Sequence, residues 1–205
     1  VICPCQTNWR AGEYHISDCP EAKKLRDSWC TPADVAELLP EVDLDPATNI
    51  RSKVKAKRQI VWTHSPSVDD QSYFKGRNDI RRFEQGDGLS IPWNGSIFLN
   101  GPYSDMLPWC EKANEEWRSG RLKEAIFLVK LDPTTKWWAQ LVNNDTGNGY
   151  QRRLNLWLPR KRLQHVPPPR IKASTNNFAS AIIHWARNIR SITTLKLQSI
   201  ADLWT

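Results

Sequence analysis

Ser96-Ile97-Phe98-Leu99-Asn100-Gly101-Pro102-Tyr103 is the stretch on which the fold of this chain turns. Ile97, Phe98 and Leu99 suit a short buried strand, and the Asn94-Gly95 turn signal stands just before them. The polar group then emerges at the strand's carboxyl end, where open α/β sheets bind ligands, and Pro102 holds the backbone in one extended shape. Asn100 offers a side-chain acceptor, the Gly101 carbonyl a second, and Tyr103 a flat face. Two acceptors can hold the hydrogens of an exocyclic nucleobase amine so that its lone pair points at an electrophile, while the base stacks on the tyrosine. Asn-Gly and Gly-Pro are also common turn dipeptides, so the same residues read equally as a plain turn between a strand and a helix.

Upstream, Asp87-Gly88-Leu89-Ser90 and Pro92-Trp93-Asn94-Gly95 run directly into this strand. Downstream, Ser104 to Trp117 places Leu107, Cys110, Ala113 and Trp117 at helical spacing, the stripe expected of a core-facing helix. Ala125 to Val129 is the clearest buried strand, and Asp132-Pro133-Thr134-Thr135-Lys136-Trp137-Trp138 reads as the next strand-to-helix junction. Leu154 to Leu158 alternates like a strand, and Asn177 to Ile183 reads as the last one. Toward the N-terminus, Thr31 is expected to cap a helix that begins at Pro32 and runs through Leu39. Val42-Asp43-Leu44-Asp45-Pro46-Ala47 reads as a strand ending in an acid and a proline, and Ile60 to Trp62 as a second strand. His64 to Gly86 reads as a polar loop or insertion.

Taken in this order, the pieces from Trp29 to Ile183 resemble the phage-type DNA adenine methyltransferases. Asn100-Gly101-Pro102-Tyr103 is similar to the Asn/Asp-Pro-Pro-Tyr/Phe/Trp signature of amino-methyltransferases, with Gly101 where that family usually has proline. Trp29-Cys30-Thr31-Pro32 looks like the family's opening, and Leu44-Asp45-Pro46-Ala47 resembles its first motif, with Thr48-Asn49 in place of the usual glycines. The run from Asp87 to Tyr103 carries the most specific part of the match.

The resemblance implies an α/β, Rossmann-like class I methyltransferase fold, with a mixed, mostly parallel sheet and helices on both faces. It implies S-adenosylmethionine as cofactor and the N6 amine of adenine in DNA as acceptor, with Asn100, Gly101, Pro102 and Tyr103 at the reacting centre. Thr31, Pro32, Asp45, Pro46, Ala47 and Asp87 would serve the cofactor, and Trp137 or Trp138 would wall a base turned out of the duplex. The N4 amine of cytosine satisfies the same motif. A protein that keeps the fold and binds nucleic acid without catalysing is the second reading, which Gly101 and the missing glycines favour.

With 205 residues, the chain has room for one such domain plus extensions, divided here as 1–28, 29–186 and 187–205. The formal net charge of +7 is uneven: residues 1–100 hold 13 Lys/Arg against 14 Asp/Glu, whereas Thr146 to Ala201 holds ten basic residues and no acid. That region is the footprint of a polyphosphate-binding face, and Lys136, Trp137, Arg152, Arg153, Arg160, Lys161 and Arg162 are its candidate DNA contacts. A solvated basic surface is the plainer reading of such a run. Most of the eleven tryptophans are expected in the core.

Cys3, Cys5, His15 and Cys19 could supply four ligands to zinc, but their spacing is not a standard one, and free thiols or disulfides account for them as well. Residues 187–205 read as a basic helical extension. No apolar run approaches 18 residues and no signal peptide is evident, so an intracellular location is expected. The sequence begins at valine and is read as starting downstream of the natural N-terminus.

Overall fold

A computed structural model describes residues 27–62, 83–143, 152–159, 161–167 and 178–187. Its elements in chain order are α1 (Ala33–Leu38), β1 (Val42–Thr48), β2 (Ala56–Trp62), β3 (Phe83–Gly86), β4 (Gly95–Leu99), α2 (Leu107–Arg118), β5 (Leu122–Lys130), α3 (Lys136–Val142), β6 (Arg153–Trp157) and β7 (Ser180–Ala186). The strands form one seven-stranded sheet in the order β3-β2-β1-β4-β5-β7-β6. Every pair is parallel except the two that β7 makes with its neighbours β5 and β6.

The central strands are apolar along their whole length because both faces are covered. Side chains alternate across a strand. On one face Ile97 and Leu99 of β4, Ala125, Phe127 and Val129 of β5, and Ala181, Ile183 and Trp185 of β7 pack under α2 and α3, with Trp109, Trp117, Trp138 and Leu141. On the other, Phe98, Ile126, Leu128 and Ile182 pack with Val35, Ala36 and Leu39 from α1 and the residue after it. With helices on both faces of a mostly parallel sheet, this is a Rossmann-like α/β arrangement. Trp93, Trp109, Trp117, Trp138 and Trp185 are all core residues, so the tryptophan surplus is used mainly for packing.

Several boundaries differ from the sequence reading. β3 occupies Phe83–Gly86, at the end of the stretch read as a loop; its Glu84 forms a two-pronged ion pair with Arg58 of β2 that sets the edge register. β1 does not stop at Asp45-Pro46 but runs on to Thr48 through an irregularity in its pairing with β2, which absorbs a proline that can donate no ladder bond. α2 starts at Leu107, after a turn closed by the Asp105 amide on the Pro102 carbonyl. β7 starts at Ser180, three residues later than read. Gly95, read as part of a turn, begins β4 at φ 78°, and a Cβ there would lie 2.3 Å from Asp43 Oδ2. That carboxylate instead accepts the Ser96 amide at 2.9 Å and Lys57 Nζ at 2.6 Å, pinning β4 to β1.

Cys3, Cys5, His15 and Cys19 lie outside the described residues, as do Arg160 and residues 188–205 of the proposed helical extension. Among the described residues no group of three or more His, Cys, Asp or Glu side chains is arranged to hold a metal ion. Nor is any helix among them long and apolar enough to cross a membrane.

Candidate active site

In the strand order, the direction of progression reverses between β1 and β4, and a crevice opens at such a point outside the carboxyl ends of the parallel strands. Leu44 of β1 pairs with Ile97 of β4, so Asp45-Pro46-Ala47 and Asn100-Gly101-Pro102-Tyr103 leave the sheet side by side at that point. The two motifs read separately in the sequence thus flank the point where an open sheet of this order has its ligand crevice.

On the β1 side, Asp45 is only 3% exposed, and burial raises its carboxyl from the ordinary range to about 7, against the opposing bonds from Thr48, the Ala47 amide and Gln59. The Ala47 amide donates to its Oδ1 at 3.3 Å. Asp87 reaches the same place through its neighbour: a Cβ on Gly88 would lie 1.9 Å from the Pro46 carbonyl oxygen, so the 87–90 turn is seated directly on the β1 tip. Trp93, fully buried, donates its indole N–H to the Gly88 carbonyl at 2.8 Å and fixes that seat from beneath. The Asp87 side chain is exposed and accepts the Leu89 amide within its own turn.

On the β4 side, Asn100 Nδ2 donates to Thr31 Oγ1 at 3.1 Å, while Oδ1 has no hydrogen-bond partner among the described residues. Thr31 was expected to cap α1. Pro32 takes the cap position instead, with no side-chain cap bond, and the Thr31 hydroxyl is turned across to Asn100. Gly101 and Pro102 are buried; a Cβ on Gly101 would stand 3.1 Å from Met106 Sδ, so Met106 fills the space that a ring at this position would take.

Tyr103 is half-buried, its hydroxyl turned inward to donate to the Leu128 carbonyl at 3.4 Å, and burial pushes the phenol above its ordinary range. His165 and Phe178 meet its ring nearly perpendicularly, with centroids at 6.1 and 5.4 Å. The sequence reading missed His165 altogether. It is buried, its Nε2 has no partner among the described residues, and burial lowers its value to about 4, which keeps the imidazole neutral. A lone histidine two residues before a proline run carries no spacing that could have flagged it. Only the antiparallel β7 brings it here, by returning the chain so that residues after β6 and before β7 share the crevice edge.

The proposed DNA contacts divide. Lys136 is exposed and Trp137 half-buried at the start of α3, just past the carboxyl end of β5 and therefore on the crevice side. Lys161 and Arg162 are exposed beyond the carboxyl end of β6, on the same side. Arg153 aligns through Ala186 with Glu124, at the opposite end of the sheet. The run from Glu124 to Lys130 puts it roughly 20 Å from the crevice edge at the usual rise per residue.

Arg152 is no phosphate contact. It is 2% exposed, lies 3.8 Å over the Trp185 ring, and donates to Asn114 Oδ1 at 2.6 Å and to the carbonyls of Gln140 and Asn143. Burial lowers its guanidinium to about 10, and its charge serves the packing of β7 against α2 and α3. Arg187 is likewise turned inward, over Trp117 and onto the Trp117 and Leu122 carbonyls.

The family model described as DNA N-6-adenine-methyltransferase (Dam) matches residues 80–203, well over half of the chain. Curated proteins give no match. Among solved structures, a Pyrococcus horikoshii protein provisionally described as an RNA methyltransferase aligns with a TM-score of 0.39 at 14% identity, over 64% of this chain and 64% of that one. A precorrin-6y C5,15-methyltransferase from Geobacter metallireducens aligns with a TM-score of 0.34 at 14% identity, over 90% of this chain and 97% of that one. By the extent of the family match, the chain belongs to the DNA N-6-adenine-methyltransferase (Dam) family.

Proposed function

We propose that this protein transfers the methyl group of S-adenosylmethionine to the exocyclic N6 amine of adenine in DNA. The observation that carries the reading is the pairing of the two strand tips at the reversal point, which sets a buried acid on one lip and an amide acceptor on the other. The cofactor brings an electrophilic methyl on a sulfonium and a free ammonium group. Asp45 suits that ammonium, because a buried carboxyl whose ionisation is suppressed gains most from a cation beside it. Pro46 and Ala47, with the turn that Gly88 seats on them, and Thr31 and Pro32 opposite, would line the same pocket.

The acceptor side is assigned to Asn100 Oδ1 and the Gly101 carbonyl, which accept the two amine hydrogens and turn the nitrogen lone pair outward. Tyr103 offers its half-exposed ring to the adenine face, with His165 and Phe178 holding it edge-on. Alignment would supply most of the rate: as the N–CH3 bond forms the S–CH3 bond breaks to leave a neutral thioether, and the cationic, four-bonded nitrogen passes its spare proton to solvent, so no general base is needed. The base must leave the duplex to reach this crevice. Lys136, Lys161 and Arg162, exposed on the crevice side, would take phosphates.

One observation favours the non-catalytic alternative: the Asp45 carboxylate is already nearly enclosed by Ala47, Thr48 and Gln59. Transfer of tritium from labelled S-adenosylmethionine to DNA, with Asn100→Ala as control, decides between them. Transfer lost in the variant is the expected result. Cofactor binding without transfer to DNA would select the binding module, and equal transfer by the variant would remove Asn100 from the site. Digestion of the labelled DNA to nucleosides separates N6-methyladenine from N4-methylcytosine.

A further inference from the structure

Thr31 lies two residues before α1 and is only 4% exposed, yet its hydroxyl makes no bond to the helix that follows. Its single side-chain hydrogen bond among the described residues is the one it accepts from Asn100 Nδ2. The residues before it are fastened on every side. Cys30 exchanges two backbone bonds of 2.9 Å with Val166. The Ser28 carbonyl accepts Asn49 Nδ2 and Arg51 Nη2, each at 3.0 Å, and Arg51 Nη1 continues to the Pro167 carbonyl at 2.6 Å. The Asp27 carboxylate accepts both the amide and the hydroxyl of Ser104, the residue directly after Tyr103. Residues 27–31 therefore form a strap that grips the Asn100-Tyr103 tetrapeptide at both ends.

We infer that Thr31 is the positioning residue for Asn100: it holds the carboxamide by its Nδ2, the orientation that leaves Oδ1 toward the crevice. This rests on the amine-binding role given to Asn100 above. The terminal torsion of an asparagine is broad and roughly two-fold, so an untethered carboxamide presents its NH2 as readily as its oxygen. An NH2 directed at another amine offers a donor to donors. Tethering Nδ2 to Thr31 leaves Oδ1 for the substrate. Thr31 thus acts on the acceptor side of the reaction, through Asn100, in addition to lining the donor pocket.

The test is a double-mutant cycle on the full chain with DNA and S-adenosylmethionine. Thr31→Val, which keeps the shape and removes the hydroxyl, should lower kcat by about 10- to 100-fold, as misplacement of a reacting group by about an ångström does, with Tm close to that of the wild type and a change in cofactor Kd much smaller than the change in kcat. Thr31→Ser should recover to within about threefold of wild type. In an Asn100→Asp background both side-chain ends are oxygens and no orientation remains to be chosen, so the added Thr31→Val should cost less than about threefold. An equal loss in both backgrounds, or a loss that appears in cofactor Kd instead of kcat, overturns the inference while leaving the methyltransferase reading intact. Absence of transfer by the wild type on any DNA defeats that reading instead. The Asn100 side-chain NH2 then decides the tether by NMR: slowed hydrogen exchange in wild type and Thr31→Ser but not in Thr31→Val upholds it, and equal exchange in all three rejects it.

Discussion

Asp45→Asn should make the free protein more stable and at the same time abolish cofactor binding, and the size of the first effect follows from the structure. The carboxyl is 3% exposed and burial lifts it to about 7, from an ordinary value near 4. An acid held above its unfolded value keeps the folded state whole below about pH 4 and costs it stability as pH rises toward 7, because the unfolded chain gives up its proton first. A gap of about three pH units at 1.36 kcal/mol each comes to roughly 4 kcal/mol at pH 8. Part of that returns when asparagine disturbs the bonds to Ala47 and Gln59, leaving a net gain on the order of 2–3 kcal/mol, or about 4–12 °C in Tm for a domain of this size.

Bound S-adenosylmethionine should reverse the balance, since its ammonium would favour the ionised carboxylate. Binding by the wild type should therefore expel a proton below pH 7 and weaken about tenfold for each pH unit of further acidification. Thermal denaturation from pH 4 to 8, with and without S-adenosylmethionine, reads both effects, and titration calorimetry in buffers of different ionisation enthalpy reads the proton. Parallel Tm-versus-pH curves for wild type and variant, or unchanged cofactor affinity in the variant, would refute the assignment of Asp45.

Four other outcomes are expected. Asn100→Ala should reduce methyl transfer by at least about 100-fold with cofactor Kd within twofold, measured by single-turnover tritium transfer. Gly88→Ala drives a Cβ into the Pro46 carbonyl 1.9 Å away, so it should lower Tm by several degrees and cofactor affinity by tenfold or more, while an alanine at Gly120, whose added Cβ meets nothing within 4 Å, should leave affinity unchanged. Arg152→Ala leaves Asn114 and two carbonyls without their donor and should cost about 3–4 kcal/mol in chemical denaturation, without altering the salt slope of DNA binding. Lys161→Ala should reduce that slope, d log K/d log [salt], by about one, and Arg153→Ala, at the far end of the sheet, should leave it in place.

The sheet was legible in the sequence wherever strands are buried on both faces. Ile97 to Leu99, Ala125 to Val129 and the run ending at Ile183 needed only their apolar residues and flanking glycines and prolines to be found. β3 was missed because it is an edge strand of four residues, half of them exposed, whose register is held by an ion pair and not by a hydrophobic pattern. The lips of the crevice were legible as motifs. Their adjacency was not, since it depends on strand order, and strand order leaves no trace in local sequence.

Charge misled in a characteristic way. Arg152 and Arg153 are neighbours in a basic run, yet one is sealed against Trp185 and the other faces away from the crevice. A tally of lysines and arginines records sign but not direction. Thr31 was read through the helix it precedes, and a hydroxyl answers to whatever lies within hydrogen-bonding reach, here a residue 69 positions further on at 3.1 Å.

The reversed course of β7 has an architectural outcome of its own. Because β6 runs parallel to β5 and β7 runs against both, the segment between β6 and β7 both departs and returns on the rim that carries Asn100. Residues of that segment are delivered to the rim from both directions, His165 and Val166 on the outward course and Phe178 on the return, so a change in its length would be felt first at the Tyr103 ring and at Cys30.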